Sequence, residues 1–243
     1  MPFAGSKNVI FHQFMADDGQ LSYLFADAVT RHAAVVDPHL SLEQSYFETI
    51  AQLDLTLDYA IETHAHESHL SAGPLLCTET DARWAMSRAA AVAMKVRRID
   101  GGECFFLGEE CFIALATPGH STCSMCFRWR DRVFTGHTLL AGKTGDCSRP
   151  DANPASLYAS VVHTLYTLPE ETLVCPGRAT AGGNSSSIGF EREHNRELTA
   201  QTPESVYLAG KRRVGCAHGV AVPRAVTEQG SVDLYPFRRI GHA

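Results

Sequence analysis

Three histidines, His64, His66 and His69, follow the apolar run Tyr59-Ala60-Ile61 at i, i+2 and i+5. Imidazole is the commonest protein metal ligand, and rings that end a strand can converge because the turn after them is sharp. Two later segments repeat the arrangement: Thr117-Pro118-Gly119-His120 and Phe134-Thr135-Gly136-His137 each set a histidine in a tight turn after a strand-like run. Three separate strand-end loops that each present a histidine are how a metal pocket is built at the rim of a sheet. His64, His120 and His137 are therefore expected to be metal ligands, while His66 and His69 are open between ligation and a supporting or structural role. His12, His32, His39, His163, His194, His218 and His242 have no such company and read as ordinary.

The elements that must position these rings are legible as alternating runs. Val9 to Phe14, Leu21 to Phe25 and Ala33 to Val36 read as strands, with Asp17-Asp18-Gly19 a turn, followed by a helix from an N-cap at Ser41 to Leu53. Glu103 to Leu107, Cys111 to Leu115, Met125 to Trp129 and Val133 to Thr135 fit antiparallel hairpins. Asn153 to Leu168 predicts a helix with Pro154 in its first turn and Leu157, Val161, Leu165 and Leu168 on one stripe. Leu173 to Cys175 reads as a strand and Ser187 to Leu198 as a polar helix.

The 243 residues are 44% hydrophobic and 20% charged, enough for a substantial core, and the net charge of −6 offers no basic field to hold phosphate backbones. Nucleic-acid binding is not expected. No run approaches a membrane span, and Met1 to Lys7 lacks the apolar stretch of a signal peptide, so a cytoplasmic protein is the expectation. The eight cysteines then read as reduced thiols, and Cys123-Ser124-Met125-Cys126 as structural, since no second C-x-x-C accompanies it and Ser124 to Trp129 alternates like a strand. One domain over 1–243 is expected, with 199–243 an extension packing on it.

From Val9 to Leu198 the chain resembles the metallo-β-lactamase fold family, and within it the persulfide (sulfur) dioxygenases, with the glyoxalase II hydrolases as relatives. The resemblance rests on Val36-Asp37-Pro38, Thr63-His64-Ala65-His66, Thr117-Pro118-Gly119-His120, Phe134-Thr135-Gly136, Leu157-Tyr158, Leu168-Pro169, Cys175-Pro176-Gly177 and Ser187-Ile188-Gly189-Phe190-Glu191-Arg192, in matching order and spacing. It implies an α/β class, a four-layer αββα sandwich with the metal at one edge of two sheets, Asp37 among the supporting residues, and a homodimer as in other members. It also implies a single Fe(II) on the first histidine of T-H-x-H, the histidine of T-P-G-H and the aspartate that ends F-T-G-D. Those positions are His64, His120 and His137, so an imidazole stands where the family has a carboxylate, which raises the net charge of the centre by one.

Other positions depart in the same direction. A second-metal aspartate of the hydrolases is Ser68 here, and the histidine of the family's P-x-H-D is Arg178, followed by Ala179. A two-metal centre is therefore not expected. The dioxygenases' G-R-T-D reads Gly145-Asp146-Cys147-Ser148, and the tyrosine that the family uses near glutathione falls at Thr180. Arg178, Cys147 and Thr180 are the candidate substrate contacts, Arg178 as a clamp for a carboxylate. The resulting expectation is an iron dioxygenase that joins dioxygen to the sulfur of a small thiol or persulfide. A mononuclear zinc (Zn2+) hydrolase of a thioester, or a metal-binding module without catalysis, are the alternatives.

Overall fold

The computed structural model describes residues 9–67 and 69–217. Two six-stranded sheets organise the chain. The first contains β1 (Val9–Met15), β2 (Leu21–Asp27), β3 (His32–Val36), β4 (Thr56–Ile61), β5 (Arg83–Ser87) and β6 (Arg97–Ile99) in sequence order. β1 to β3 are antiparallel neighbours, and β3 to β6 run parallel. Then come β7 (Cys104–Leu107), β8 (Glu110–Ala116), β9 (Met125–Trp129), β10 (Arg132–Gly136), a small hairpin of β11 (Leu139–Leu140) and β12 (Lys143–Thr144), β13 (Leu173–Pro176) and β14 (Ser186–Ser187). The second sheet has the order β14-β13-β10-β9-β8-β7.

Strand alternation sorts the side chains into three apolar layers. Tyr23, Phe25, Ile61, Phe112, Phe127, Trp129 and Phe134 fill the space between the sheets. Leu24, Val35 and Ala60 face the other way and meet Tyr46 of α1 (Glu43–Gln52) and Leu76 of α2 (Gly73–Glu79). Cys126, Val133 and Val174 meet α3 (Pro154–His163), α4 (Ile188–His194) and Tyr207 of α5 (Glu204–Ala217). Helices thus cover both outer faces, which gives the four layers that the motif order implied.

Several boundaries differ from the sequence reading. Helix α1 starts at Glu43, because His39 rather than Ser41 caps the preceding 3-10 turn Leu40–Leu42, its Nδ1 accepting the Ser41 N–H. The helix expected over Asn153 to Leu168 stops at His163 and continues as a 3-10 turn, Leu165–Thr167, with Leu168 extended ahead of Pro169. Helix α4 ends four residues early, because Asn195 Oδ1 accepts the N–H groups of Glu197 and Leu198 and draws the chain into a turn. The reduced-thiol reading also needs one correction: Cys104 and Cys111 form a disulfide. They sit on the exposed face of the β7–β8 pair, opposite Ile113 and Phe106 respectively, and that diagonal register is set by the turn between the strands. Cys77, Cys123, Cys126, Cys147 and Cys175 are free. Cys126 lies in β9, as the alternation suggested.

The topology also decides where the loops meet. β8 and β10 are both antiparallel to β9, so they run in one direction and end at one edge of their sheet. β3 and β4 are parallel and end together in the other sheet. A bond from Met125 N–H to the Thr63 carbonyl (2.8 Å) joins the two edges. All four strand ends carry residues singled out above.

Candidate metal centre

His64 follows β4, His120 follows β8 and His137 follows β10, and one ring nitrogen of each lies within 4.8 Å of the others. His64 and His120 are buried and His137 is half-buried. Each ring has a second-nitrogen partner that fixes its orientation. Nδ1–H of His64 donates to Thr63 Oγ1 (3.0 Å), whose own proton goes to Asp37 Oδ2 (2.8 Å). Nδ1–H of His120 donates to the Asp146 carbonyl (2.9 Å), and Nε2–H of His137 to Gln20 Oε1 (3.2 Å). This leaves Nε2 of His64, Nε2 of His120 and Nδ1 of His137 as the lone-pair donors.

Burial, and then the neighbouring imidazoles, depress the basicity of His64 and hold His137 down at about 3, and burial lowers His120 as well. Neutral rings with converging lone pairs are the protonation state a cation requires. The donor set therefore fits a divalent metal. The sign of the pH dependence follows. Because these histidines hold protons less readily in the folded state than near 6.5 in the unfolded chain, the stability they contribute to the metal-free protein is fully present above pH 6.5. The His137 share is lost at about 1.4 kcal/mol per pH unit as pH falls from 6.5 toward about 3, and His64 and His120 act in the same direction. Denaturant midpoints of metal-free protein between pH 7.5 and 5 check this, and a flat profile contradicts it.

Asp37 supports the centre from below. Its backbone is left-handed (φ 50°), which aspartate tolerates, and its Oδ1 accepts the Thr63 N–H at 2.7 Å. His66 is not in the three-histidine group. Its Nε2 points away to Asp37 Oδ1 and Glu62 Oε2, each at 3.1 Å, and its side chain is only 5% exposed. Burial alone would lower His66, but the two carboxylates outweigh it and raise the ring to about 10, and Asp37, Glu62 and His66 form a second group of donor atoms within 4.8 Å of one another. Sequence reasoning missed Glu62. It is fully buried, and its other oxygen accepts from Ser71 Oγ and Trp84 Nε1. A glutamate ending a buried strand was the available signal. His69 packs against His66 and stacks on His39, with ring centroids 4.2 and 4.6 Å apart. Ser68 lies outside the described residues.

The substrate candidates are dispersed. Arg178 is exposed and donates to the Asp18 carbonyl (3.3 Å), beside the Gln20 that holds His137. Thr180 Oγ1 donates to the Ala141 carbonyl and lines a hollow of about 230 Å3 with Gly142, Lys143, Gly182 and Arg196. Cys147 instead packs into the layer under α3 and α5, and burial pushes its thiol up, so it does not present a reactive thiolate.

A family model described as the metallo-beta-lactamase superfamily matches residues 16–178. The chain belongs to this superfamily. Within it, the chain is 29% identical to the mitochondrial persulfide dioxygenase ETHE1 of Homo sapiens over 209 residues, covering 85% of this chain and 82% of that protein. The crystal structure of ETHE1 from Myxococcus xanthus superposes with a TM-score of 0.81 at 33% identity, covering 88% of this chain and 92% of that one. A hydroxyacylglutathione hydrolase of Fuscovulum blasticum is 29% identical over 67% of this chain and 64% of its own. Metallo-beta-lactamase superfamily proteins therefore include both oxidative and hydrolytic relatives of this chain. No helix among the described residues is long and apolar enough to cross a membrane.

Proposed function

We propose that this chain is a mononuclear dioxygenase that oxidises the sulfur of a small thiol or persulfide, with Fe(II) held by His64, His120 and His137. The observation that carries the reading is three imidazoles converging at a strand edge in a chain similar to ETHE1. When bound, iron supplies a centre that can engage a sulfur anion together with dioxygen. The chain's own residues do the rest. The Thr63–Asp37 relay, the Asp146 carbonyl and Gln20 keep the three rings from turning. With no carboxylate among the three rings, the centre carries one more positive charge than an aspartate-containing one, which favours an anionic sulfur. Arg178, at the rim beside Gln20, is the group best suited to meet a substrate carboxylate. A cytoplasmic setting and a homodimeric state are part of this reading.

The test is the metal content of protein purified without oxygen and without added metal, followed by oxygen uptake with persulfides and small thiols. About one iron per chain and oxygen consumed in step with sulfinate or sulfite formation is the expected result. One zinc per chain, thioester hydrolysis and no oxygen uptake even after iron reconstitution would replace this reading with the hydrolase.

A further inference from the structure

We propose that Arg149 is a positioning residue of the metal centre: its guanidinium locks the His64-bearing loop to the His120-bearing loop and so sets the separation of those two rings. The inference rests on the metal reading of the three histidines. Arg149 lies in the irregular stretch between β12 and α3, and its side chain is only 12% exposed. Nη1 donates to the carbonyl of Ala65, between His64 and His66, at 3.1 Å. Nη2 lies 3.2 Å from Glu67 Oε1, and Nε donates to Asp151 Oδ1 at 3.0 Å. Asp151 passes the connection on, since its other oxygen accepts the N–H (3.0 Å) and the hydroxyl (3.2 Å) of Thr122, two residues after His120. The circuit therefore runs from His64 through Ala65, Arg149, Asp151 and Thr122 to His120.

The anchorage of this bridge is firm on its own side. The residue before a proline is biased to extended backbone, and Pro150 follows Arg149. The Ala152 N–H closes a turn on the Arg149 carbonyl, and the Asn153 N–H bonds the Gly119 carbonyl at 2.7 Å, next to His120. The His64 to Glu67 loop has no regular secondary structure, so what fixes its path must come from contacts. Downstream of His64, Ala65 N–H also reaches across the gap to Cys123 Sγ (3.2 Å), a weak acceptor.

Two readings of a cation at this place compete, an anion receptor and a brace. Two carboxylates already face the guanidinium, so the local charge is negative and an incoming anion would have to displace one of them. The three partners also lie in three directions that a planar fork can meet and a point charge cannot. The brace is favoured on both counts.

Cobalt(II) titration of the full chain, read by its visible absorption bands, tests the assignment. The parent is expected to bind one cobalt per chain, and His64→Ala to abolish it. Arg149→Met should bind about 10- to 100-fold more weakly, the effect of losing an outer support of a metal ligand, with bands altered in position and intensity. Arg149→Lys, which keeps the charge, should also alter the bands. Weakened binding with the parent's spectrum would mean a general loss of stability and overturns the proposal, as does unchanged binding in Arg149→Met. Should Arg149→Met fail to fold, Arg149→Lys and Asp151→Asn decide, and parent spectra in both overturn it. A parent that binds no cobalt removes the metal reading and this inference together, whereas parent binding that is lost in His64→Ala and untouched at Arg149 removes this inference alone.

Discussion

His137→Ala will lower metal affinity by more than about 100-fold, beyond the range seen for outer supports of metal ligands, while His137→Asp will keep one metal per chain. The alanine variant removes one of three nitrogens that lie within 4.8 Å of each other and leaves Gln20 Oε1 without its imidazole donor. Two histidines on different loops then remain, and their flexibility is no longer offset by a third contact. The aspartate variant supplies an anionic oxygen in the same turn. Metal stoichiometry after dialysis against a weak chelator measures both, and an alanine variant that retains metal as tightly as the parent would sink the ligand assignment. The two variants also separate charge from coordination. If the extra positive charge of a three-histidine centre matters for an anionic sulfur substrate, His137→Asp will keep metal but raise KM more than it lowers kcat.

Gly119→Ala carries the second large effect, and it acts through the backbone. Gly119 sits at φ 149°, and a Cβ there would lie 2.3 Å from both N and Cα of Leu157 in helix α3. Those are backbone atoms of a packed helix whose Leu157 is fully buried, so neither side can yield cheaply. Strain and overpacking together should cost roughly 3–5 kcal/mol and pull His120 out of register with His64 and His137. A fall of the denaturation midpoint and loss of bound metal should therefore appear together. Gly210→Ala in α5, where an added Cβ meets nothing within 4 Å, serves as the control and should leave both measurements near the parent. Gly136 makes a related point beside His137: at φ 49° it passes 2.3 Å from Thr63 Oγ1 measured from an added Cβ, so the relay behind His64 needs this glycine too.

The sequence was most informative where chemistry and periodicity coincide. Strands such as Leu21 to Phe25 and Met125 to Trp129 announce themselves by their apolar content, and the three strand-end histidines stand out because a tight turn follows each run. It was least informative where a long-range contact overrides local preference. Helix α2, strands β5 and β6, and helix α5 carry weak periodicity of their own and exist because the sheets offer them apolar faces. Tyr207 and Lys211 tie α5 to Thr144 and to the Gly145 carbonyl, beside the loop that orients His120, and nothing local in that segment signals it. The disulfide between Cys104 and Cys111 was hidden for a similar reason, since seven residues of separation say nothing about register until the hairpin is formed.

What the sequence alone determined was the inventory: three imidazoles at the ends of three apolar runs and a turn glycine beside two of them. Ligand type and spacing are covalent properties, so they survive without coordinates. What only the tertiary structure decided was the division of labour among similar residues. His66 stands two residues from His64, yet its Nε2 lies 3.1 Å from both Asp37 and Glu62 and outside the three-histidine group. Arg149 is 84 residues from the Ala65 carbonyl that it holds. Such assignments depend on which loops the parallel and antiparallel pairings bring to one edge, and that is a property of the sheets rather than of any local stretch of chain.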